Sequence, residues 1–151
     1  MANTYTQLFV HIIFSPKGRK NVIPPQIKEN IHKYITGIIQ KRKNKLIAIN
    51  SMPDHIHIFA GLNPEQSVSN LVRDIKRAST EYLKSNNLLS SNFYWQSGYG
   101  AFTYSLSQID NVIKYINNQE MHHKKKSFYE EYLEFLEKFK IQFDKKYVFD
   151  V

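Results

Sequence analysis

Two histidines that stand two residues apart have the spacing most suggestive of chemistry in this chain. His55-Ile56-His57 lies in a segment whose residues alternate as in a half-buried strand. Residues i and i+2 of a strand point to the same side, so the two imidazoles would lie next to each other and could form half of a metal site. The alternative for an isolated pair is one hydrogen-bonded core histidine and one surface histidine.

A tyrosine and a glutamine further along the chain could complete such a site. Tyr115 and Gln119 have the i, i+4 spacing that places two side chains on one face of a helix, although each alone is also typical of an amphipathic helix edge. A phenol with an ordinary pKa near ~10 is a poor nucleophile at neutral pH. A divalent ion held by His55, His57 and the Gln119 amide oxygen would polarise a phosphodiester for attack by Tyr115. The product would be a phosphotyrosine linkage to DNA, which permits rejoining as well as cutting.

The composition limits the metal and the compartment. The absence of cysteine excludes disulfides, a thiolate zinc site and a cysteine nucleophile, so nitrogen and oxygen ligands remain, which favour Mg²⁺ or Mn²⁺. No apolar run approaches the ~20 residues of a membrane span, and the first residues lack the pattern of a signal peptide. We therefore expect a soluble, cytoplasmic protein that does not associate with membranes.

The charge favours a nucleic-acid partner. Lys and Arg number 21 against 13 Asp and Glu, and the chain has ten Tyr, ten Phe and one Trp. The candidate DNA-binding residues are three basic clusters and two aromatic residues: Lys17, Arg19 and Lys20; Lys41, Arg42 and Lys43; Arg73, Lys76 and Arg77; and Trp95 and Tyr99. Each cluster is equally compatible with a solvated face, and Trp95 with a local core residue.

The hydrophobic pattern predicts one domain, residues 1–151, of the α+β class. Strands are predicted over 5–14, 46–51, 55–62 and 101–106, with helices beginning at Pro24-Pro25, Asn63-Pro64-Glu65, Ile109 and Ser127. The order β-α-β-β-α-β is that of a ferredoxin-like, or RRM-like, split βαβ sandwich. It predicts a four-stranded antiparallel sheet with helices on one face, followed by the tyrosine-bearing helix. The histidines would lie on the sheet with their outward face available for chemistry.

At these residues the chain resembles the single-tyrosine HUH transposases of the IS-two-hundred-like insertion-sequence family, in which two histidines flank a hydrophobic residue. His55-Ile56-His57 matches the histidine strand, and Tyr115-Ile116-Asn117-Asn118-Gln119 matches the helix with the nucleophile and the third ligand. Trp95-Gln96-Ser97-Gly98-Tyr99-Gly100-Ala101-Phe102 resembles the segment that leads into the last strand. The resemblance covers residues 4–126, and the C-terminal helix and tail over 127–151 match less distinctively.

The resemblance implies a transposase that binds terminal hairpins and cleaves and rejoins single-stranded DNA through a metal-assisted 5′-phosphotyrosine. It implies metal binding by His55, His57 and Gln119 and attack by Tyr115, in a homodimer whose tyrosine helices act in trans. The alternatives are a host-adopted relative that processes hairpins, a replication initiator with the same chemistry, and a nonenzymatic module that binds single-stranded DNA or RNA. The tract His122-His123-Lys124-Lys125-Lys126 could bind metal or nucleic acid, but a basic helix end and linker is the preferred interpretation.

Overall fold

The computed structural model describes residues 3–19, 22–89 and 92–149. The strands in these ranges are β1 (Phe9–Phe14), β2 (Lys45–Met52), β3 (His55–Gly61) and β4 (Gly100–Thr103). The helices are α1 (Lys28–Lys41), α2 (Val68–Ser85), α3 (Ile109–Asn117), α4 (Gln119–His122) and α5 (Phe128–Lys138). Short 3₁₀ turns cover Lys17–Arg19, Pro25–Ile27, Leu106–Gln108 and Lys145–Tyr147. Among the helices of the described ranges, none combines the length and the apolar character needed to cross a membrane.

The four strands form one antiparallel sheet with the order β2-β3-β1-β4. β2 and β3 form a hairpin, as predicted, and β1 lies between β3 and β4. The helices α1 and α2 make the two crossovers, so the split βαβ arrangement and the predicted ferredoxin-like fold are confirmed.

The period of two along β3 separates the main core from the histidines. Ile56, Ile58 and Ala60 are fully buried in the apolar core that the sheet forms with α1 and α2. His55 and His57 lie at the alternate positions and therefore face the other side of the sheet. The alternation in the sequence thus decides which face of the sheet carries the imidazoles.

The face with the histidines is also covered by helices. Val112 and Ile116 of α3 pack against Phe59 of β3, and Phe135 of α5 belongs to a cluster with Phe102 of β4. The histidine face is therefore enclosed by helices and not open to solvent. The apolar stripe of α5 is the physical reason, because it needs an apolar surface to cover and β1 and β4 offer one.

The start of α2 differs from the prediction. The helix was expected to begin at Asn63-Pro64-Glu65, but it begins at Val68, where the Ser67 hydroxyl accepts a hydrogen bond from the Asn70 N–H at 3.1 Å. Asn63 instead donates through Nδ2 to Oδ1 of Asn44 at 3.1 Å. Tertiary hydrogen bonds therefore hold Asn63 in the loop before the helix.

A glycine of β4 makes room for α5. A Cβ atom at Gly100 would lie 2.7 Å from Cε1 and 2.9 Å from Oη of Tyr132, which is closer than real Cβ contacts. Tyr132 is a buried residue of α5. The absence of a side chain at this point of the edge strand therefore allows α5 to pack closely on the sheet.

Candidate metal and tyrosine site

β3 places the two predicted histidines side by side. The ring centroids of His55 and His57 are 5.0 Å apart, and neither side chain has any exposed surface. Phe128 of α5 stacks on His55, with centroids 4.1 Å apart and an interplanar angle of 6°. The two imidazoles are therefore held in a buried position under α5.

The third predicted ligand reaches the same place, although the helix that carries it is interrupted. α3 ends at Asn117 and α4 begins at Gln119, because Asn118 has a non-helical ψ of 23°. The Gln119 amide nitrogen points to two acceptors, the Tyr115 carbonyl at 3.3 Å and Glu131 Oε2 at 3.4 Å. These acceptors orient the amide so that its oxygen faces the imidazoles.

Two further residues join this group and were not selected as site residues from the sequence. His123 is half-buried and Glu131 is 1 % exposed, and with His55 and His57 they offer ligand atoms that all lie within 4.8 Å of one another. The preferred interpretation of the 122–126 tract as only a helix end and linker is therefore incomplete. The signal for Glu131 was an acid on the apolar stripe of a helix, three residues after Phe128.

The ligand atoms converge on one point. Gln119 Oε1 is 3.1 Å from Nε2 of His55 and 2.8 Å from Nε2 of His123. Glu131 Oε1 is 3.2 Å from Nε2 of His57, and 3.3 Å and 3.6 Å from those of His123 and His55. Adjacent ligands of a small divalent ion with bonds of about 2.1 Å are themselves about 3 Å apart. The spacing therefore fits a single ion.

The hydrogen bonds that His55 and His123 make through Nδ1 determine which of their ring nitrogens faces this point. Nδ1 of His55 donates to the Asp54 carboxylate at 2.7 Å, and Nδ1 of His123 donates to the Lys126 carbonyl at 2.7 Å. In the neutral rings Nε2 then has no proton, so its lone pair can bind a cation at this point. Carboxylate or carbonyl partners of this kind are typical of metal-bound histidines.

His11 is a further buried histidine, directly behind His57. Its Nε2 is 2.8 Å from Nδ1 of His57, and the two rings are stacked with centroids 5.0 Å apart. Burial lowers the pKa of His57 to about 4, although the nearby Glu131 carboxylate opposes this effect. Burial and the charge of His57 lower the pKa of His11 well below its ordinary value. Both rings are therefore neutral at pH 7, as metal ligation requires.

The hydroxyl of the predicted nucleophile contacts the same carboxylate. Tyr115 donates a short hydrogen bond to Glu131 Oε2, and its Oη lies 3.3 Å from Nε2 of His122. Burial and the Glu131 charge raise the pKa of Tyr115 above its ordinary value. A cavity of about 350 Å³ reaches this hydroxyl and is lined by Tyr104, Gln108, Asn111, Val112, Tyr115, His122, Glu131, Glu134, Phe135 and Lys138. The Tyr115 hydroxyl is therefore accessible through a cleft between α3 and α5.

The charge of Glu131 is stabilised by its neighbours. Burial alone would raise the pKa of this carboxyl, but hydrogen bonds from His123 and His57 hold the pKa well below its usual range. The same pairing raises the pKa of His123 against the opposing effect of its burial. Without an ion, the carboxylate therefore favours a proton on His123.

The predicted basic residues differ in how available they are. Lys17, Lys41 and Lys43 are exposed. Arg73 and Arg77 pair with Asp74 at 3.7 Å and 3.3 Å, but their side chains remain 66 % and 69 % exposed. These five residues are available for phosphate contact.

Two other predicted basic residues make contacts within the fold. Arg42 pairs with Asp74 through a short contact and donates from Nε to Gln66 at 3.2 Å. Lys76 donates to the carbonyls of Gln96 and Gly98 at 2.9 Å and 2.6 Å. The remaining members of the set, Lys20 and the side chain of Arg19, lie outside the described part of the chain.

The two aromatic residues that were predicted to contact DNA differ in their exposure. Trp95 is 8 % exposed, packs edge-on against Phe14 and Phe93, and donates from its indole N–H to Ser79 at 3.0 Å. It is a core residue, so the structure contradicts its selection as a base-stacking residue. Tyr99 is 37 % exposed and is available to stack on a base.

Comparisons with known proteins identify the family to which this sequence is similar. The sequence model of the family described as "Transposase IS200 like" matches residues 4–119. The ISDra2 transposase TnpA of Deinococcus radiodurans is 25% identical over 118 residues, which are 75% of this chain and 84% of the relative.

Two solved structures have a similar fold. A crystal structure of a Deinococcus radiodurans R1 protein assigned as a transposase has a TM-score of 0.64 at 23% identity, over 79% of this chain and 95% of that one. A REP-associated tyrosine transposase bound to a REP hairpin has a TM-score of 0.63 at 16% identity, over 82% of this chain and 73% of that one. The match of the family to most of the chain, including the histidine strand and the tyrosine helix, shows that this protein belongs to the IS200-like transposase family.

Proposed function

We propose that this protein is a metal-dependent strand transferase that cuts and rejoins single-stranded DNA through a covalent 5′-phosphotyrosine at Tyr115. The observation that carries the proposal is the position of the Tyr115 hydroxyl at a cluster of converging imidazole and oxygen ligands. Membership of a transposase family supports the same reaction.

Metal binding and nucleophilic attack are assigned to different residues of the chain. His55, His57 and Gln119 would hold a divalent ion, and the nitrogen-rich set favours Mn²⁺ over Mg²⁺, which prefers oxygen ligands. When bound, the ion would polarise the scissile phosphate. Tyr115 Oη loses its proton and attacks phosphorus, so the tyrosine–phosphate bond forms as the bond between phosphorus and the 3′ oxygen breaks. The 3′ oxygen takes up a proton from water and leaves as a hydroxyl. The phosphodiester energy is retained, so a second 3′ hydroxyl can reverse the step.

The proposed substrate is DNA with hairpins. The similarity to a transposase bound to a REP hairpin supports hairpin recognition, and the +8 net charge supports phosphate binding. Lys17, Lys41, Lys43, Arg73 and Arg77 are the proposed phosphate contacts, and Tyr99 is the proposed stacking residue.

The test is a denaturing gel of the protein incubated with Mn²⁺ and labelled single-stranded DNA that contains a terminal hairpin. We expect a covalent adduct in the wild type and none in Tyr115→Phe, which removes only the attacking oxygen. Tyr129→Phe is the matched control and should keep the adduct. If hairpin DNA binds without any adduct in the wild type, the nonenzymatic alternative is correct.

The metal requirement has its own test. We expect His57→Ala to abolish the adduct and to leave hairpin binding nearly unchanged, because the ion serves the chemistry and the basic surface serves affinity. Gln119→Ala should have a smaller effect, since water can replace a neutral oxygen ligand. Full cleavage in excess chelator would contradict metal dependence.

We propose, from the family resemblance, that the protein is a homodimer with its tyrosine helices in trans. In the single chain the Tyr115 and His57 rings are 5.9 Å apart, so one chain also brings these groups together in cis. Mixed dimers of Tyr115→Phe and His57→Ala subunits distinguish the two arrangements. Activity is rescued in the trans arrangement, because one composite site then contains both intact groups. Inactive verified heterodimers would reject the trans arrangement and leave the residue roles intact.

A further inference from the structure

A buried carboxylate lies between the ligand cluster and the nucleophile. Glu131 Oε1 is 3.2 Å from Nε2 of His57 and 3.3 Å from Nε2 of His123. Its other oxygen, Oε2, accepts the hydrogen bond of the Tyr115 hydroxyl. The two oxygens of one side chain therefore contact the two halves of the site, and the proposed function leaves this residue without a role.

The burial of the Glu131 carboxylate on the inner face of α5 needs a compensating interaction. A fully buried carboxylate is strongly unfavourable unless opposite charges or several donors surround it. Glu131 is only 1 % exposed, and the side chains of His57, His123, Gln119 and Tyr115 surround its carboxylate. A divalent cation at the convergence point would place positive charge directly beside this carboxylate.

We propose that Glu131 is a metal ligand that also positions Tyr115, so that one carboxylate joins the ion to the nucleophile. The inference rests on the proposed function and on α3 in the position that this structure gives it, next to the histidines of the same chain. Oε1 would join Gln119 Oε1 and the three Nε2 atoms as a fifth donor, which leaves a six-coordinate ion one position for the scissile phosphate. Oε2 holds the phenol oxygen at the edge of the cavity that substrate enters.

Two contacts with the sheet fix the position of α5. Gly100 of β4 leaves the space that Tyr132 fills, and Phe128 stacks on His55. Glu131 lies between Phe128 and Tyr132 in the sequence. It lies beyond residues 4–119, the region that the family matches, so the added ligand is a feature of this chain's C-terminal helix.

The first test measures Mn²⁺ affinity in the full chain by electron paramagnetic resonance of free Mn²⁺. We expect Glu131→Gln to weaken the affinity by about tenfold or more, because it removes a charged ligand. Glu137→Gln is the matched control, since Glu137 is an exposed residue of the same helix, and it should leave the affinity unchanged. Equal Mn²⁺ affinity in Glu131→Gln and the wild type would overturn the assignment as a ligand.

The second test asks whether the carboxylate connects the ion to the tyrosine. We would introduce 3-fluorotyrosine in place of Tyr115 and record the ¹⁹F resonance with Mg²⁺ at concentrations that saturate each variant. The resonance should shift on Mg²⁺ binding in the wild-type background and in Glu137→Gln, but not in Glu131→Gln. An equal shift in Glu131→Gln would overturn the positioning role.

Glu131→Asp is a second, more conservative variant for both measurements. If Glu131→Gln does not fold, Glu131→Asp keeps the charge but withdraws it by one methylene, and it should show weaker Mn²⁺ binding and a smaller ¹⁹F shift. Unchanged values in Glu131→Asp would then overturn the inference. Lack of a Mn²⁺-dependent adduct in the wild type would refute the proposed function instead, because neither readout for Glu131 depends on cleavage.

Discussion

Phe128 lies flat on His55, with ring centroids 4.1 Å apart, and thereby links the first residue of α5 to the first residue of β3. Both rings are buried. The contact excludes water from one side of the imidazole and limits the directions in which its Nε2 can point. The C-terminal helix therefore forms one wall of the site.

We predict that Phe128→Ala destabilises the protein by about 3–5 kcal/mol, because it leaves a cavity between α5 and the sheet. Urea unfolding at neutral pH measures this difference. Phe128→Leu should fold with a smaller loss, yet bind Mn²⁺ more weakly than the wild type, since leucine fills space without stacking on His55. Tyr147→Ala is the control, because Tyr147 is 76 % exposed and its loss should change stability little.

A methyl group at Gly100 should also be destabilising. We predict that Gly100→Ala costs about 1–3 kcal/mol, because the new Cβ overlaps the Tyr132 ring. Gly37→Ala in α1 is the opposite case, since no atom lies within 4 Å of its added Cβ, and it should stabilise the helix by about 0.5–1 kcal/mol. Thermal unfolding of both variants tests the pair. A Gly100→Ala protein as stable as the wild type would contradict the close packing of α5 on β4.

The outer partner of His55 should tune the ion affinity. We predict that Asp54→Asn weakens Mn²⁺ binding by about tenfold or more, because the neutral amide no longer increases the basicity of the ring. Isothermal titration with Mn²⁺ provides the measurement. Asp110→Asn, at an exposed position of α3, should bind like the wild type. Equal affinities in both variants would mean that Asp54 does not act through His55.

Acid should destabilise the metal-free protein in two steps. The folded-state pKa of His57, at about 4, lies below its unfolded value of about 6.5, and that of His11 is lowered too. Their contribution to stability is complete above pH 6.5 and is lost as the pH falls towards 4, by up to about 1.4 kcal/mol per pH unit for each added proton. The lowered pKa of Glu131 extends the loss below pH 4.5.

Urea unfolding between pH 8 and pH 4 in excess chelator measures this dependence. Burial also lowers the pKa values of His32 and His122, which adds to the loss. His123 acts in the opposite direction, because its raised pKa favours the folded state at low pH, so it partly offsets these histidines. His11→Phe should show a shallower pH dependence than the wild type, since it removes one titrating group. A stability that is constant from pH 6.5 to pH 4.5 in the wild type would contradict the prediction.

The sequence predicted the parts of the site that depend on local periodicity. His55 and His57 share one face because a strand has a period of two, and Tyr115 and Gln119 are adjacent because a helix has 3.6 residues per turn. The adjacency survives the interruption at Asn118, as the hydrogen bond from Gln119 to the Tyr115 carbonyl shows.

The parts that depend on tertiary contacts could not be predicted in this way. A glutamate on a helix is usually solvated, and only the convergence of several imidazoles makes the burial of Glu131 favourable. The start of α2 was ambiguous because Asn63 and Ser67 are both good N-cap residues, and the contact of Asn63 with Asn44 decides between them. Trp95 could be assigned to the core only once the ring partners from other elements were known.

The distribution of the ligands along the chain has a consequence for the order of events in folding. The side chains of His57 and Glu131 meet across a separation of 74 residues, so their contact requires the sheet to form and α5 to pack on it. Closing such a long loop has a large entropic cost, which places this contact late in assembly. An ion at the proposed site would then bind only to the completed fold, and the proposed cleavage activity would appear after the sheet has formed. In a cell, a newly made chain would acquire its DNA-cutting activity at the last stage of its maturation.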